Sequence, residues 1–189
     1  MNKSTLAIGA AAAICVVALI LFLHFNKKQD TKSGQLTPPT PTPALTIAPP
    51  TNPTKIANSH TGLCLSPAGG TTNANEQIVQ YVCDENIARQ WRFDVVSGDV
   101  VKIINLNSKM CLTVAGGTAD RQVPAVQYPC DGDPSRFWHF KAIDASTFRL
   151  INVHSQLCLA VGGGLASLNA IAVQDSCEAA PAVDWRFAS

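Results

Sequence analysis

Charge is scarce in this sequence of 189 residues. Only 14% of the residues are charged, and the formal net charge at pH 7 is +1. Proteins that bind nucleic acids cluster Lys and Arg side chains that neutralise phosphates, and this balance gives no sign of such a face. We therefore expect no nucleic-acid partner.

Motifs for metal and phosphate binding are also missing. Zinc ligands usually come in close pairs such as CxxC, and the sequence contains none. No glycine-rich phosphate loop follows a predicted strand, because the Gly-Gly pairs fall in predicted turns. We therefore expect no metal site and no cofactor.

Candidate catalytic residues are few. His60 and His154 occupy equivalent positions in predicted turns, and His139 lies elsewhere in the chain. Nothing places a nucleophile, a base and an orienting group together. We expect a protein that is not an enzyme.

The N-terminus contains one long apolar run, from Leu6 to Phe25. About 20 helical residues span about 30 Å, the thickness of a bilayer core. Residues 1–25 are therefore predicted to form an uncleaved membrane anchor, with Cys15 as a small apolar residue within it. A cleaved signal peptide is the alternative, although its apolar region is usually shorter.

Two signals disagree on which side of the membrane the rest of the chain lies. Lys27, Lys28 and Lys32 follow the apolar run, and the positive-inside rule would place them in the cytoplasm. The six other cysteines are regularly spaced, which indicates disulfides and an oxidising compartment. We expect the C-terminal domain on the exported side, because long domains translocate with little regard for a few lysines.

Residues 26–53 are polar and then rich in proline and threonine. Proline fixes φ and removes a backbone donor, so neither a helix nor a central strand is expected here. Such segments extend as polyproline II and act as semi-rigid spacers. We predict a linker, with a ligand for a proline-recognition domain as the weaker alternative.

One pattern recurs three times in residues 54–189. Its copies span Cys64–Phe93, Cys111–Phe140 and Cys158–Phe187, and they are offset by 47 residues without insertion or deletion. A fixed period of this size is typical of repeat architectures, in which no single copy can bury its own apolar face.

The six cysteines of the repeats allow 15 formal connectivities. Because each copy is the same local unit, any bond within one copy should recur in the others. Each closed loop would stabilise the fold by about 3 kcal/mol in the chain-entropy description. The expected bonds are Cys64–Cys83, Cys111–Cys130 and Cys158–Cys177.

Each copy contains four segments with period-2 alternation, which predicts half-buried β-strands. Gly-Gly pairs after the second segment fit turns that need positive φ. Three copies give about twelve strands, which can close around a pseudo-threefold axis and largely remove free sheet edges. The residues expected as core anchors in such an all-β fold are Trp91, Trp138 and Trp185.

These repeats resemble the ricin-type (R-type) lectins, which are β-trefoils. The resemblance covers residues 54–189 and rests on the order CL–V–GG–VQ–C–W in every copy, including Val79-Gln80, Val126-Gln127 and Val173-Gln174. It implies a β-trefoil, disulfides at these cysteine positions, and binding of galactose-like or other sugars in shallow pockets, one per repeat.

The residues that bind sugars in that family are only partly matched. Where the family has an Asp after Cys-Leu, the copies have Ser66, Thr113 and Ala160. Where it has an aromatic platform, they have Tyr81, Tyr128 and Asp175. Where it has an Asn-Gln pair before the Trp, they have Ala88-Arg89, Ser135-Arg136 and Ala182-Val183.

The third copy is therefore predicted to be structural, and the first two carry the candidate carbohydrate-binding residues. An arginine beside an aromatic face would favour an acidic sugar or a peptide carboxylate. The alternative is that the tyrosines are half-buried packing residues and the arginines are solvated. The candidates are Ser66, Tyr81, Arg89, Thr113, Tyr128 and Arg136.

Together these features predict a membrane-tethered, exported module that binds glycans at no more than two sites. The missing carboxylates keep a second hypothesis in place. In that hypothesis the trefoil no longer binds sugar and recognises a protein partner, or serves as an adhesion or toxin-delivery subunit.

Overall fold

The computed structural model describes residues 47–189. The predicted anchor and most of the predicted linker lie outside these residues. The described end of the linker, residues 47–53, has irregular backbone, and Ile47 packs against the domain core. Within the described part, none of the helices combines the length and apolarity needed to cross a bilayer.

Residues 47–189 form twelve antiparallel strands and five short 3₁₀ helices, so the expectation of an all-β fold is confirmed. Each copy supplies four strands, as the alternation predicts. They are β1 Thr54–Asn58, β2 Cys64–Pro67, β3 Ile78–Tyr81, β4 Gln90–Ser97, β5 Val100–Asn105, β6 Cys111–Val114, β7 Ala125–Tyr128, β8 Trp138–Ala142, β9 Thr147–Asn152, β10 Cys158–Val161, β11 Ala172–Asp175 and β12 Trp185–Ala188.

The first and fourth strands of the copies close into a six-stranded barrel. β1 pairs with β4, β4 with β5, β5 with β8, β8 with β9, β9 with β12, and β12 returns to β1. Closure removes the free edges of this sheet. The second and third strands form the hairpins β2–β3, β6–β7 and β10–β11, one per copy.

The barrel core is built around the three repeated tryptophans, which are fully buried as expected. Each indole N–H donates to the backbone carbonyl of the leucine after the first cysteine, at 2.9–3.0 Å. The buried polar atom of each tryptophan is thereby satisfied. The three pairs are Trp91 with Leu65, Trp138 with Leu112 and Trp185 with Leu159.

Three disulfides join the cysteines within each copy, which confirms the predicted pairing. The Cα–Cα distances are 5.0–5.1 Å. Each bond ties the start of the second strand to the segment after the third strand. The bonds are Cys64–Cys83, Cys111–Cys130 and Cys158–Cys177.

A buried glutamine in each copy holds the loop of a neighbouring copy. Gln80 donates from Nε2 to the carbonyls of Leu165 and Ser167 at 2.5 and 3.0 Å. Gln127 reaches the first copy in the same way, and Gln174 reaches the second. The Gln of each Val-Gln pair therefore links consecutive copies around the threefold axis.

Candidate functional site: two equivalent pockets between repeats

The first pocket has a volume of about 310 Å³ and is built on the hairpin of the first copy. Ser66 from β2 and Tyr81 from β3 line it. Arg89, from the 3₁₀ turn before β4, lines it as well, so the structure brings together all three residues predicted for this copy. Asn169 of the third copy completes the wall.

The second pocket has a volume of about 300 Å³ and uses the equivalent residues of the second copy. Thr113, Tyr128 and Arg136, the three candidate residues of this copy, line it. Asn75 of the first copy occupies the place that Asn169 has in the first pocket. The chain therefore carries two pockets of closely matched composition.

Each pocket is completed from a neighbouring copy by a residue in the left-handed conformation. Asn75 has φ +65° and Asn169 has φ +63°. Asparagine tolerates this region better than most residues because its side chain can hydrogen-bond locally. Hydrogen bonds from their backbone N–H groups to Gln127 O and Gln80 O, at 2.8 and 2.9 Å, fix both loops. A single copy could not form either pocket.

The two arginines are buried and stacked on the tyrosines. The Arg89 guanidinium lies 4.7 Å from the Tyr81 ring centroid, and Arg136 lies 4.8 Å from that of Tyr128. Arg89 is 7% exposed and Arg136 9%, so the alternative in which they are solvated does not hold. Cation–π contact occupies one face of each ring, and that face is closed to a sugar.

The polar partners of the two arginines differ. Arg136 donates to the Pro129 carbonyl and the Ser135 hydroxyl, both at 3.1 Å, and Nε is 2.8 Å from Asp131. Arg89 Nε is buried and makes no hydrogen bond. Asp84 Oδ1 lies 3.2 Å from it, but the N–H is not directed at that oxygen. In the first copy, Arg89 and Asp84 are therefore close enough to attract each other but do not form a hydrogen bond.

The predicted hydroxyl residues form the floors of the pockets. Ser66 and Thr113 are each 2% exposed. Ser66 donates to the Pro67 carbonyl and Thr113 to the Ser135 carbonyl, both at 3.0 Å. Their protons are thus engaged within the protein, and a ligand would meet their oxygens as acceptors.

Two further pocket residues, Asn86 and Asp133, hold equivalent positions at the start of the 3₁₀ turns. Both have φ −66° and ψ 130°, and their side chains accept from the backbone N–H of Ala88 and Ser135. Hydrogen bonds from the Ser135 hydroxyl and N–H, with the Arg136 charge nearby, lower the pKa of Asp133. Asp133 is therefore ionised at neutral pH.

The third copy has a carboxylate at the tyrosine position. Asp175 is 8% exposed, and Arg121 Nε donates to it at 2.5 Å. Gln122 and the Ser176 N–H also donate to Asp175. Burial by itself raises the pKa of Asp175, but these hydrogen bonds and the Arg121 charge outweigh it and lower the pKa.

An apolar groove of about 440 Å³ lies on the third copy and shares Asn169 with the first pocket. Leu165, Leu168 and Ile171 line it and are 57%, 49% and 36% exposed. Large apolar side chains grouped at the surface are typical of contact sites. This groove was not predicted from the sequence.

None of the histidines considered as catalytic candidates lines either pocket. His139 Nδ1 is 3.1 Å from the exposed Asp99, while His60 and His154 are exposed in turns. Within residues 47–189, no group of three His, Cys, Asp or Glu side chains could hold a metal ion.

Sequence reasoning missed four polar residues that line the pockets: Asn75, Asn86, Asp133 and Asn169. A signal for two of them was available, because residues 86 and 133 are equivalent and precede the turns that carry the arginines. The other two lie far from their pockets in sequence, so only the closed fold brings them there.

Comparison with known proteins supports the assignment of the fold. The chain is similar to ThreeFoil, a designed threefold-symmetric protein, at 21% identity and TM-score 0.71, covering 72% of this chain and 98% of that one. It is also similar to the Rhizoctonia solani agglutinin, at 18% identity and TM-score 0.66, covering 75% and 96% of the two chains.

A third similar structure is the ricin B-like lectin of Macrolepiota procera, at 18% identity and TM-score 0.62, covering 75% of this chain and 98% of that one. No curated protein sequence matches the chain. The family model described as ricin-type beta-trefoil lectin domain-like matches residues 48–128 and 87–174. The chain therefore belongs to the ricin-type β-trefoil lectin-like family.

Proposed function

We propose that the chain is a carbohydrate-binding module that uses the pockets of its first and second copies as sugar sites. The observation that carries this proposal is the pair of equivalent pockets in a ricin-type trefoil. Each combines a half-buried tyrosine, a guanidinium and amide or carboxylate side chains from two copies.

This set of side chains suits a saccharide. Sugar hydroxyls need both donors and acceptors, which the arginine and asparagine side chains and the Ser66 or Thr113 oxygens supply. The apolar faces of a sugar ring can contact the part of the tyrosine ring that the arginine leaves uncovered. They can also contact Val79 or Val126, which line the two pockets. The similar lectin of Macrolepiota procera is described in complex with lactose.

A glycan-array screen tests this function directly. The full-length chain would be applied with its disulfides formed, in a detergent without a sugar headgroup. We expect binding to a defined set of glycans and a loss of at least tenfold in the double variant Tyr81→Ala, Tyr128→Ala. The control is Val95→Ala, on an exposed position of β4 outside both pockets. Binding that is equal in all three proteins would refute the pocket assignment.

The proposal includes membrane tethering, with the trefoil on the exported side and without catalysis. Three disulfides support an oxidising compartment. The apolar run Leu6–Phe25 supports an anchor. Membrane fractionation with external protease tests both points. Tethering predicts membrane-bound protein that protease removes from intact cells, and soluble or protected protein would contradict it.

Protein recognition is a second candidate, favoured by the apolar groove of the third copy. Its exposed Leu165, Leu168 and Ile171 are typical of contact surfaces. A silent glycan array, together with a partner whose binding is lost in Leu168→Ser and kept in Tyr81→Ala, would favour this function over sugar binding.

A further inference from the structure

The two pockets differ in their charge. Within the described part of the chain, the residues lining the first pocket include one charged side chain, that of Arg89. The second pocket is lined by two, Asp133 and Arg136, whose Oδ1 and NH1 atoms are 3.3 Å apart. Outside the lining, each arginine also has one aspartate beside it, Asp84 at 3.2 Å from Arg89 and Asp131 at 2.8 Å from Arg136. The first pocket therefore carries one negative charge fewer than the second.

The arginine of the first pocket also has spare hydrogen-bonding capacity. Among the described hydrogen bonds, the Arg89 side chain donates none, although the residue is only 7% exposed. A buried donor without a partner is costly, and guanidinium groups bind carboxylates strongly through two parallel N–H groups. Arg136, in contrast, already donates to Pro129 and Ser135.

Stacking holds the Arg89 guanidinium in place before any ligand arrives. Its carbon lies 4.7 Å from the Tyr81 centroid, and contact with the ring restricts the plane of the group. The nearby Asp84 carboxylate has a side chain that is 47% exposed, so solvent screens its attraction for Arg89. Little reorganisation is needed for a second carboxylate to bind from the pocket side.

We propose that the first pocket selects a saccharide that carries a carboxylate, bound by Arg89, and that the second pocket takes a neutral saccharide. This inference rests on the proposed sugar-binding function and assigns a different ligand class to each site. The residue that separates the two classes is Asn86, which stands where the second pocket has Asp133.

The equivalence of Asn86 and Asp133 provides a matched pair of variants. Both residues have the same backbone angles and cap the same kind of turn, and Asn and Asp are about equally good caps. Asn86→Asp gives the first pocket the ion pair of the second, and Asp133→Asn removes it from the second. Neither change alters the shape of the side chain, so both variants should fold.

The experiment is an NMR titration of the full-length chain with labelled valine methyl groups. Val79 lines the first pocket and Val126 the second, so each site has its own signal, while Val173 reports on the third copy. The probes are methyl galactopyranoside and the methyl glycoside of galacturonic acid, which differ only in a carboxylate that replaces the C6 hydroxymethyl group.

We expect galacturonide to bind at the Val79 site about tenfold more tightly than galactoside, the effect of one added charge-assisted hydrogen bond. Asn86→Asp should abolish this preference, and Asp133→Asn should create it at the Val126 site. Equal binding of the two probes at both sites would overturn the inference and leave the proposed function intact.

Two other outcomes would also be decisive. If no glycan binds at either valine, the proposed function and this inference both fail. If an N-acetylated dipeptide with a free C-terminus shifts Val79, while its amide and the galacturonide do not, the pocket recognises a peptide carboxylate and the sugar assignment is overturned.

Discussion

The first two copies of the repeat and the third copy share one backbone and differ in what they do with the same surface position. In the first two, Tyr81 and Tyr128 are each stacked with an arginine of their own copy. In the third, Asp175 is held by Arg121 of the preceding copy. The comparison shows that the scaffold tolerates a negatively charged side chain in place of a neutral tyrosine at this position, provided that a cationic partner is within reach.

The difference is confined to side chains at the pocket. The disulfide, the buried tryptophan and the Val-Gln glutamine are present in all three copies with closely matched distances. Where the first two copies have a buried arginine, the third has Val183, which is fully buried and belongs to a small apolar cluster. The third copy therefore keeps the interactions that stabilise the barrel and replaces the tyrosine and arginine that line the other two pockets.

The largest test of this comparison is replacement of each tryptophan. Trp91→Ala, Trp138→Ala and Trp185→Ala should each cost about 3–5 kcal/mol, because each leaves a cavity and an unpaired leucine carbonyl. Urea unfolding under non-reducing conditions measures the loss. A much smaller cost for Trp185 would show that the third copy has a weaker scaffold and also lacks the tyrosine–arginine pair.

Replacement of the buried glutamines should reduce the free energy of unfolding by a smaller amount. It should also distinguish effects on stability from effects on ligand binding. Gln80→Ala, Gln127→Ala and Gln174→Ala each remove the side-chain donor of two loop carbonyls, a loss of about 2 kcal/mol. The cost of Gln80→Ala should lie at the lower end, because Ser167 O keeps the hydrogen bond from the Ala170 N–H. The exposed Gln77→Ala is the control. Gln80→Ala should also weaken ligand binding in the first pocket, because Gln80 holds the loop that carries Asn169. Gln174→Ala should leave ligand binding in both pockets unchanged.

Asp175 and the groups that donate hydrogen bonds to it should make a smaller contribution to stability, and this contribution depends on pH. The folded pKa of Asp175 is lowered, so its stabilisation is present above the unfolded pKa of about 3.9 and is lost as the pH falls through the folded value. Asp175→Asn should cost about 1 kcal/mol at pH 7, because Arg121 is largely exposed. Urea unfolding at pH 7 and at pH 2.5 measures this difference, which should shrink at the lower pH. A cost that is independent of pH would mean that packing, and not charge, holds Asp175.

The smallest expected effect is a difference in stability between variants of the two aspartates that lie beside the arginines, Asp84 in the first copy and Asp131 in the second. Asp131→Asn should cost about 0.5 kcal/mol, because the Asp131 carboxylate is about half exposed and solvent screens its attraction for Arg136. Asp84→Asn should cost less, since Asp84 has no aligned hydrogen bond with Arg89. Both asparagines would keep the contact of Oδ1 with the backbone N–H two residues later. Thermal unfolding of the two variants, compared in the same buffer, would detect a reversed order.

Much of the scaffold follows from the spacing of residues along the chain. The period of 47 residues places one cysteine pair, one Gly-Gly turn and one tryptophan in every copy. Gly69 and Gly116 have φ +62° and +64°, as the turn chemistry predicted. These features are local or are repeated in register, so they can be derived before the fold is known.

The candidate site was only partly predictable. The sequence led to Tyr81, Arg89, Tyr128 and Arg136, and the structure places all four in the two pockets. It did not indicate that the arginines are buried and cover one ring face. Stacking of this kind depends on side-chain angles and on the space left by neighbouring strands, which spacing along the chain does not encode.

The sequence by itself determined the repeat, the barrel strands, the disulfides and the tryptophan core, because each depends on residue type and period within one copy. Only the tertiary structure decided that Asn169 completes the first pocket and that Arg89 lacks the hydrogen bonds that Arg136 makes. The physical reason is that these features depend on the closing of the barrel. The barrel brings together loops of different copies, and the donors that an arginine finds there depend on three-dimensional distances.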